Sequence, residues 1–303
     1  MIHFLVASLI CLLRLADSLQ FDRAVSVQRG GGGEYELAAG IARPMNLNSM
    51  QAAPILVLHG GPGVPSHYLE PLIDVVPYRS IILHDQLGCG RSPGPSSLSE
   101  YSISKSVEDL ESLLKSLGVR RFHLYGQSYG GILAFEFLKK IAEGRSSVEA
   151  ECLSVLLSSS PSDVAIVEGE ANNLIAQLLQ EDDDESSVME RFRLKHQCST
   201  PAMPEPLKLA YNSAATPGMW RSTEVIKDYV AHPPMEGSKR MPSAMVMRGE
   251  NDFVTEKCIQ GWKDAFNHNF VRSKTLPGCS HHGLLENSKE YGRVVDEFFS
   301  EYD

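Results

Sequence analysis

A serine, an aspartate and a histidine occur in an order and context that would suit nucleophilic catalysis. Ser128 lies in the motif G-Q-S-Y-G at 126–130, between a strand-like run at 121–126 and a helix-like run at 131–144. Such a strand-to-helix turn exposes the serine at the carboxyl edge of a sheet, beside a helix N-terminus that favours negative charge. The pattern predicts Ser128 as a nucleophile. The alternative is a glycine-rich turn with an inert serine.

A serine hydroxyl needs a base to take its proton, and the base needs an orienting acid. Asp252 follows the apolar run at 244–247, and His281 follows the run at 273–276. Both positions predict loops at the carboxyl ends of late strands, in the chain order serine, acid, histidine. Asp252 is preferred as the acid because it lies far into its loop and has a short side chain. The alternatives are Glu250 or Asp163 as acid and His282 as base.

The glycine-rich stretch LHGGPGVP at 58–65 follows an early apolar strand-like run. A tetrahedral oxyanion needs two preorganised N–H donors. One donor comes from the residue after the nucleophile, here Tyr129, and the other from a loop after an early strand. We predict Gly61 N–H as the second donor and place Gly60 beside the substrate. A plain tight turn would also explain the glycines.

Composition narrows the class of protein. The chain has 303 residues, 43% of them hydrophobic, and a formal net charge of −10. The acidic balance disfavours nucleic acid and anionic membranes as partners. Six scattered cysteines without a C-x-x-C pair indicate neither a disulfide framework nor a zinc site, and Cys279, His281 and His282 lack metal-site spacing. We expect no metal and no cofactor.

Strand-like and helix-like segments alternate along most of the chain. A glycine-tipped hairpin is predicted near the start of this region, and amphipathic helices at 104–118, 131–144 and 288–302. Continuously apolar strands between helices predict an α/β fold with a mostly parallel, doubly wound sheet. A polar, helix-prone stretch interrupts the pattern. The expected organisation is core at 21–160, a helical cap at 161–241, and core again at 242–303.

The first twenty residues differ from the rest. An apolar run at 4–13 is too short to span a bilayer, and the small residues at 16–18 suit a cleavage site. We therefore predict a signal or targeting leader at 1–20, with secretion or organelle import. The alternative is a buried N-terminal helix in a cytoplasmic protein. No stable membrane anchor is expected once the leader is removed, and the oligomeric state stays open.

Five motifs together resemble the proline iminopeptidases, which are α/β-hydrolase peptidases that include the tricorn-interacting aminopeptidases. The motifs are LHGGPG at 58–63, HDQLGCGRS at 84–92, GQSYGG at 126–131, GEND at 249–252 and SHHGLLE at 280–286. The resemblance covers about residues 50–300. It implies Ser128, Asp252 and His281 as a triad, with Gly61 and Tyr129 at the oxyanion hole. The family spacing from histidine to glutamate, here Glu286, favours His281 over His282.

The resemblance extends into the cap. It implies that Glu224, four residues after Trp220, binds the free α-amine of a peptide substrate. The alternative is a solvated carboxylate. Some members carry a second acidic residue directly after the catalytic aspartate, where this chain has Phe253. The expected function is removal of an N-terminal proline or another small residue from peptides. The alternatives are hydrolysis of esters, amides or lactones without amine recognition, and a non-enzymatic small-molecule receptor.

Overall fold

A single eight-stranded sheet organises the described part of the chain. The computed structural model describes residues 19–44, 52–182, 184–215, 223–267 and 271–303. The predicted leader therefore lies almost wholly outside the described residues, as does Trp220. The strands are β1 Arg23–Arg29, β2 Gly33–Ala42, β3 Ile55–Leu58, β4 Ile81–His84, β5 Arg121–Gln127, β6 Glu151–Ser158, β7 Ser243–Gly249 and β8 Val271–Leu276.

The strand order is β1-β2-β4-β3-β5-β6-β7-β8. β2 pairs antiparallel with both β1 and β4, and every other pair is parallel. The predicted hairpin is confirmed, because β1 and β2 flank a short 3-10 turn at Gly30–Gly32. The predicted α/β class with a mostly parallel sheet is confirmed as well.

Helices cover both faces of the sheet. They are α1 Leu72–Val75, α2 Ile103–Leu117, α3 Tyr129–Ala142, α4 Val164–Glu181, α5 Val188–Phe192, α6 Glu205–Ala214, α7 Glu256–Ile259, α8 Gly261–Ala265, α9 Gly283–Glu286 and α10 Ser288–Ser300. A π-helical turn at Arg193–Gln197 continues α5. Within the described ranges, no helix combines the length and the apolar character needed to cross a membrane.

Residue order in the strands explains why the sheet is doubly wound. Ile55 and Val57 of β3 pack in one buried cluster, whereas Leu56 and Leu58 pack in the other. Successive side chains of a strand point to opposite faces. A strand that is apolar at every position therefore requires helices on both sides.

Local signals set the ends of α2. Ser102 caps the N-terminus by accepting a hydrogen bond from Lys105 N–H at 3.2 Å. Gly118 ends the helix in a left-handed conformation with φ of 64°, and its N–H reaches the carbonyls of the last turn. The predicted helix at 104–118 thus agrees with the structure to within one residue at each end.

The segment between β6 and β7 holds helices α4, α5 and α6 and no named strand in its described residues. This segment includes residues 161–241, the stretch predicted above as a cap, and we call it the cap below. Asp163, considered above as an alternative acid, caps α4 by accepting a hydrogen bond from Ala165 N–H at 3.0 Å. An isolated bridge between Asp163 and Val230 ties the two ends of this segment together.

A buried histidine should make the folded state sensitive to acid. Burial, with His59 nearby, lowers the pKa of His84 to about 3, below the value of about 6.5 expected when the chain is unfolded. Between these values the unfolded state binds more protons. The contribution of neutral His84 to the unfolding free energy is therefore fully present above about pH 6.5. It is lost as the pH falls, by up to about 1.4 kcal/mol per pH unit.

We expect His84→Gln to flatten the pH dependence of the unfolding free energy by about that slope between pH 6 and 4.5. Urea denaturation followed by tryptophan fluorescence measures it. His232→Gln, which changes an exposed histidine, is the matched control and should keep the wild-type slope. An unaltered slope in His84→Gln would contradict the assignment.

Candidate active site

Ser128 occupies the turn between β5 and α3 with backbone angles φ 54° and ψ −121°. This conformation is strained for a residue with a Cβ. Nearby glycines permit it: a Cβ at Gly126 would collide with Gly130, and a Cβ at Gly130 would collide with the Leu58 carbonyl. The side chain of Ser128 does not cap α3. Its hydroxyl therefore stands half-buried at the carboxyl edge of the sheet, available for chemistry.

Asp252 and His281 meet at this edge from the loops after β7 and β8. Asp252 Oδ1 lies 2.9 Å from His281 Nδ1, and both side chains are buried. Val254 N–H donates to the same carboxylate oxygen at 2.9 Å. The two loops are tied together because Asn251 N–H donates to the Cys279 carbonyl at 2.8 Å. The geometry matches an acid that orients an imidazole.

The other edge of the His281 ring has a partner that the sequence did not indicate. His281 Nε2 lies 3.1 Å from Gln127 Nε2. In the described part of the chain no hydrogen bond joins Ser128 Oγ to His281. Hydrogen bonds between a nucleophile and its base are often long before substrate binds. The structure thus brings Asp252 and His281 into contact and leaves Ser128 close by on the adjoining turn.

The glycine-rich loop after β3 faces Ser128. A Cβ on Gly60 would lie 3.0 Å from Ser128 Cβ, so the backbone approach requires glycine. Gly60 N–H donates to Tyr68 Oη at 2.7 Å. Gly61 has φ of 121°, and among the described residues its N–H has no hydrogen-bond partner. Tyr129 begins α3, where N–H groups point along the axis. Of Gly60 and Gly61, Gly61 is thus the one whose N–H has no partner among the described residues.

Asp85, after β4, anchors the glycine-rich loop from below. Its fully buried carboxylate accepts hydrogen bonds from Ser66 N–H and Oγ at 2.9 and 2.6 Å, and from Arg91 N–H at 2.9 Å. Burial acts to raise the pKa of Asp85, but His59 and these hydrogen bonds outweigh it and lower the pKa. His59 and Gln86 add two further hydrogen bonds between the loops, of 2.9 and 2.7 Å.

Through its π-helical turn, the cap contacts the loop after β7, which carries Asp252 (the acid loop), and the loop after β8, which carries His281 (the histidine loop). The His196 carbonyl accepts hydrogen bonds from Phe253 N–H and His281 N–H, both at 3.3 Å. His196 Nδ1 lies 2.8 Å from the Asn251 carbonyl. The Gln197 carbonyl accepts from His282 N–H at 3.1 Å. Residues 196–197 are therefore part of the scaffold that holds Asp252 and His281.

Glu286 also links the cap to the histidine loop. It accepts hydrogen bonds from Ser199 N–H at 2.9 Å, from Ser280 N–H at 2.5 Å, and from Ser280 Oγ. The histidine-to-glutamate spacing noted in the sequence thus corresponds to a set of hydrogen bonds that holds the loop next to His281.

His282 points elsewhere: its Nε2 lies 3.3 Å from Tyr211 Oη of the cap. Burial, together with nearby His281, lowers the pKa of His282 well below its ordinary value.

Glu224, predicted to bind the α-amine, and Phe253, which replaces the second acidic residue of some family members, lie in different settings. Glu224 is 69% exposed in its side chain and forms a 2.9 Å ion pair with Lys227. Phe253 packs against the imidazole of His281, with ring centroids 4.2 Å apart. Glu250, considered as an acid, is exposed and accepts a hydrogen bond from Gly278 N–H at 2.9 Å.

A narrow cavity of about 10 Å³ beside His281 is lined in part by Tyr68, Gln127, His282 and Tyr291. A larger one, of about 520 Å³, is lined by residues 234–241 with Phe266 and Asn267 and shares no lining residue with it. We place the candidate site at the smaller cavity because His281 lines it, as does Gln127, the residue before the strained turn of Ser128.

The fold and this site define the class of protein. The Alpha/beta hydrolase family matches residues 55–295. The chain belongs to that family.

Two relatives in sequence and one solved structure are similar to most of this chain. The proline iminopeptidase of Lactobacillus helveticus is 28% identical over 277 residues, which cover 82% of this chain and 90% of that protein. The proline iminopeptidase of Saccharolobus solfataricus is 27% identical over 279 residues, covering 82% and 84%. The crystal structure of the Mycobacterium smegmatis proline iminopeptidase has a TM-score of 0.74 at 24% identity, covering 92% of this chain and 98% of that one. The resemblance carried by the motifs is confirmed.

Removal of the Asp85 charge should loosen the glycine-rich loop. We expect Asp85→Asn to lower the unfolding free energy by about 3–5 kcal/mol, because buried donors lose an anionic acceptor and Arg91 loses a partner. Chemical denaturation measures the loss. The control is Glu108→Gln on the exposed side of α2, which should change stability by less than about 0.5 kcal/mol. Equal stabilities for the two variants would contradict the anchoring role.

Proposed function

We propose that this chain is a serine hydrolase in which Ser128 is the nucleophile, His281 the general base and Asp252 the acid that orients it. The observation that carries the proposal is the 2.9 Å contact between Asp252 Oδ1 and His281 Nδ1 beside the strained turn of Ser128. Asp252 would hold the proton on Nδ1 and stabilise the imidazolium that forms when Nε2 takes the serine proton.

The reaction would proceed through an acyl-enzyme. Ser128 Oγ attacks the substrate carbonyl, and His281 passes the serine proton to the leaving amine or alcohol. Water then attacks the ester, with His281 again as base. Gly61 and Tyr129 would supply the N–H donors for the two oxyanions. Their loops support this role, because Gly60 approaches Ser128 closely and Tyr129 begins the helix that follows it.

The finer proposal is an aminopeptidase that releases N-terminal proline or another small residue. It is supported by relatives named proline iminopeptidase that match along more than four fifths of the chain. Gly60 would contact the substrate through its Cα face, because its N–H is already donated to Tyr68.

The second candidate is hydrolysis of esters, amides or lactones without recognition of a free amine. One observation favours it: Glu224 is exposed and already paired with Lys227. A buried ammonium ion needs a desolvated carboxylate partner. Glu224 would have to leave Lys227 and approach the site to bind an α-amine. A substrate panel of free-amine and acetylated aminoacyl amides separates the two candidates.

The triad assignment predicts a specific pattern of losses. Ser128→Ala and His281→Ala should each abolish turnover, and Asp252→Asn should lower kcat about 10⁴-fold, because the imidazole loses its orienting anion. Steady-state rates with proline-β-naphthylamide and p-nitrophenyl acetate measure these losses, and labelling with a fluorophosphonate reports on Ser128 directly.

Matched controls test each residue against its neighbour or rival. His282→Ala, Glu250→Gln and Asp163→Asn should retain most of the activity. A larger loss in any of them than in its proposed counterpart would reassign the base or the acid. Residual turnover above about 1% in Ser128→Ala would point to another nucleophile.

Amine recognition has its own test in Glu224→Gln, which keeps the volume and removes the charge. If Glu224 binds the α-ammonium, kcat/KM for proline-β-naphthylamide should fall by a factor that corresponds to about 2–4 kcal/mol of transition-state stabilisation. The value for the acetylated amide should not change. Glu236→Gln, a change at another cap carboxylate that is also exposed, is the control. An equal effect on charged and neutral substrates would remove Glu224 from the amine site and favour the second candidate.

A further inference from the structure

A continuous chain of buried hydrogen bonds links the glycine-rich loop to the imidazole of His281. Gly60 N–H donates to Tyr68 Oη at 2.7 Å, and Tyr68 Oη lies 2.6 Å from Gln127 Oε1. The other end of the same amide places Gln127 Nε2 3.1 Å from His281 Nε2. Tyr68 and Gln127 are both at least 95% buried, so water does not compete for these groups.

The direction of each hydrogen bond follows from the first one. A backbone N–H can only donate, so Tyr68 Oη accepts from Gly60 and gives its own hydrogen to Gln127 Oε1. Burial raises the pKa of Tyr68 well above its ordinary value, which keeps that hydrogen on the phenol. The NH₂ group of Gln127 then faces His281. His281 Nε2 must accept, and Nδ1 must carry the proton that is donated to Asp252.

We propose that Gln127 is a positioning residue that, oriented by Tyr68, keeps His281 Nε2 unprotonated and the ring aligned for its role as base. The inference rests on the proposed function. Nε2 has a single lone pair, so the Gln127 hydrogen bond is exchanged for the Ser128 hydroxyl when the base takes the serine proton. The opposite amide orientation would require a proton on Nε2 as well as on Nδ1, which is the imidazolium state that cannot act as a base.

Asp252 and Gln127 are the groups that determine which ring nitrogen of His281 carries the proton, because the other neighbours of the ring are uncharged. His282, with its ring centroid 5.3 Å away, has a pKa far below its ordinary value because of burial and His281. Burial also lowers the pKa of His196, whose carbonyl accepts from His281 N–H. Phe253 covers the ring face without charge. Near neutral pH both neighbouring imidazoles are therefore uncharged, and Asp252 supplies the adjacent anion.

Two substitutions of similar size separate positioning from simple packing. Gln127→Met removes the donor, and kcat should fall about 2- to 10-fold with little change in KM, because fewer His281 rings then hold the tautomer and orientation that the base requires. Gln127→Glu replaces the donor by an anion that can only accept. It should favour the protonated ring, lower kcat/KM about 10- to 100-fold near pH 6.5, and let activity recover toward the Gln127→Met level at pH 9.

Tyr68→Phe tests the orienting hydroxyl without touching the amide. It should lower kcat by no more than Gln127→Met, because the amide can then rotate. Gln260→Glu, an exposed change of the same chemistry, is the control and should match wild type at every pH. Parallel pH profiles for wild type, Gln127→Met and Gln127→Glu would overturn the proposal and indicate that Gln127 only fills space.

A readout independent of turnover is the ¹⁵N spectrum of histidine-labelled, ligand-free full-length protein, with His281 assigned from His281→Ala. Nε2 should stay protonated to higher pH in Gln127→Glu than in wild type. An unchanged His281 protonation state in Gln127→Glu would overturn the proposal. Absence of fluorophosphonate labelling at Ser128 in wild type would instead reject the serine-hydrolase function, and the spectrum would still decide the Gln127 contact. Circular dichroism verifies that each variant is folded.

Discussion

The positive φ of Ser128 is the constraint on which the rest of the site depends. A residue with a side chain adopts this conformation only when the surrounding structure enforces it. Here β5 ends at Gln127 and α3 begins at Tyr129, and the turn between them is held by the hydrogen bond from Ser128 N–H to the Ser158 carbonyl at 2.8 Å. Close backbone packing at Gly126 and Gly130 permits the turn, because a Cβ at either position would collide with neighbouring backbone. The turn itself therefore directs the Ser128 hydroxyl to the sheet edge, independently of Asp252 and His281.

Parallel topology brings the partners to the same edge. β3, β5, β7 and β8 run in one direction, so the loops that follow them emerge together, although they are far apart in sequence. The glycine-rich loop, the serine turn, the acid loop and the histidine loop are these four connections. Hydrogen bonds then join neighbouring loops: Asp85 holds the first in place, and the Asn251 to Cys279 contact pairs the last two. The sheet sets the approximate positions, and the buried polar contacts set the final geometry.

Local patterns in the sequence predicted the elements and placed Asp252 and His281 on loops at the same sheet edge, and the family resemblance favoured His281 over His282. Apolar strands, helical spacing and the glycine motif each depend on neighbours within a few residues, and the strand-end rule extends them to the site. The contact from Gln127 to His281 spans 154 residues and depends on how a side chain turns inside the core. No periodicity signals such a contact, nor the brace formed by Glu286 with Ser199. Glu224 was chosen by resemblance alone, and its exposed ion pair depends on the cap conformation.

The segment predicted as a cap contacts the loops that carry Asp252 and His281. Through its carbonyl, His196 receives N–H groups from both Phe253 and His281, and its ring contacts the Asn251 carbonyl. These three contacts belong to the loops that carry the acid and the base. If the π-helical turn at 193–197 shifted, at least two backbone donors would lose their acceptor in a buried setting, at a cost of about 1–3 kcal/mol each. The geometry of the Asp252 to His281 pair is therefore coupled to this turn, so sequence changes at 193–197 should alter the contact between the two side chains.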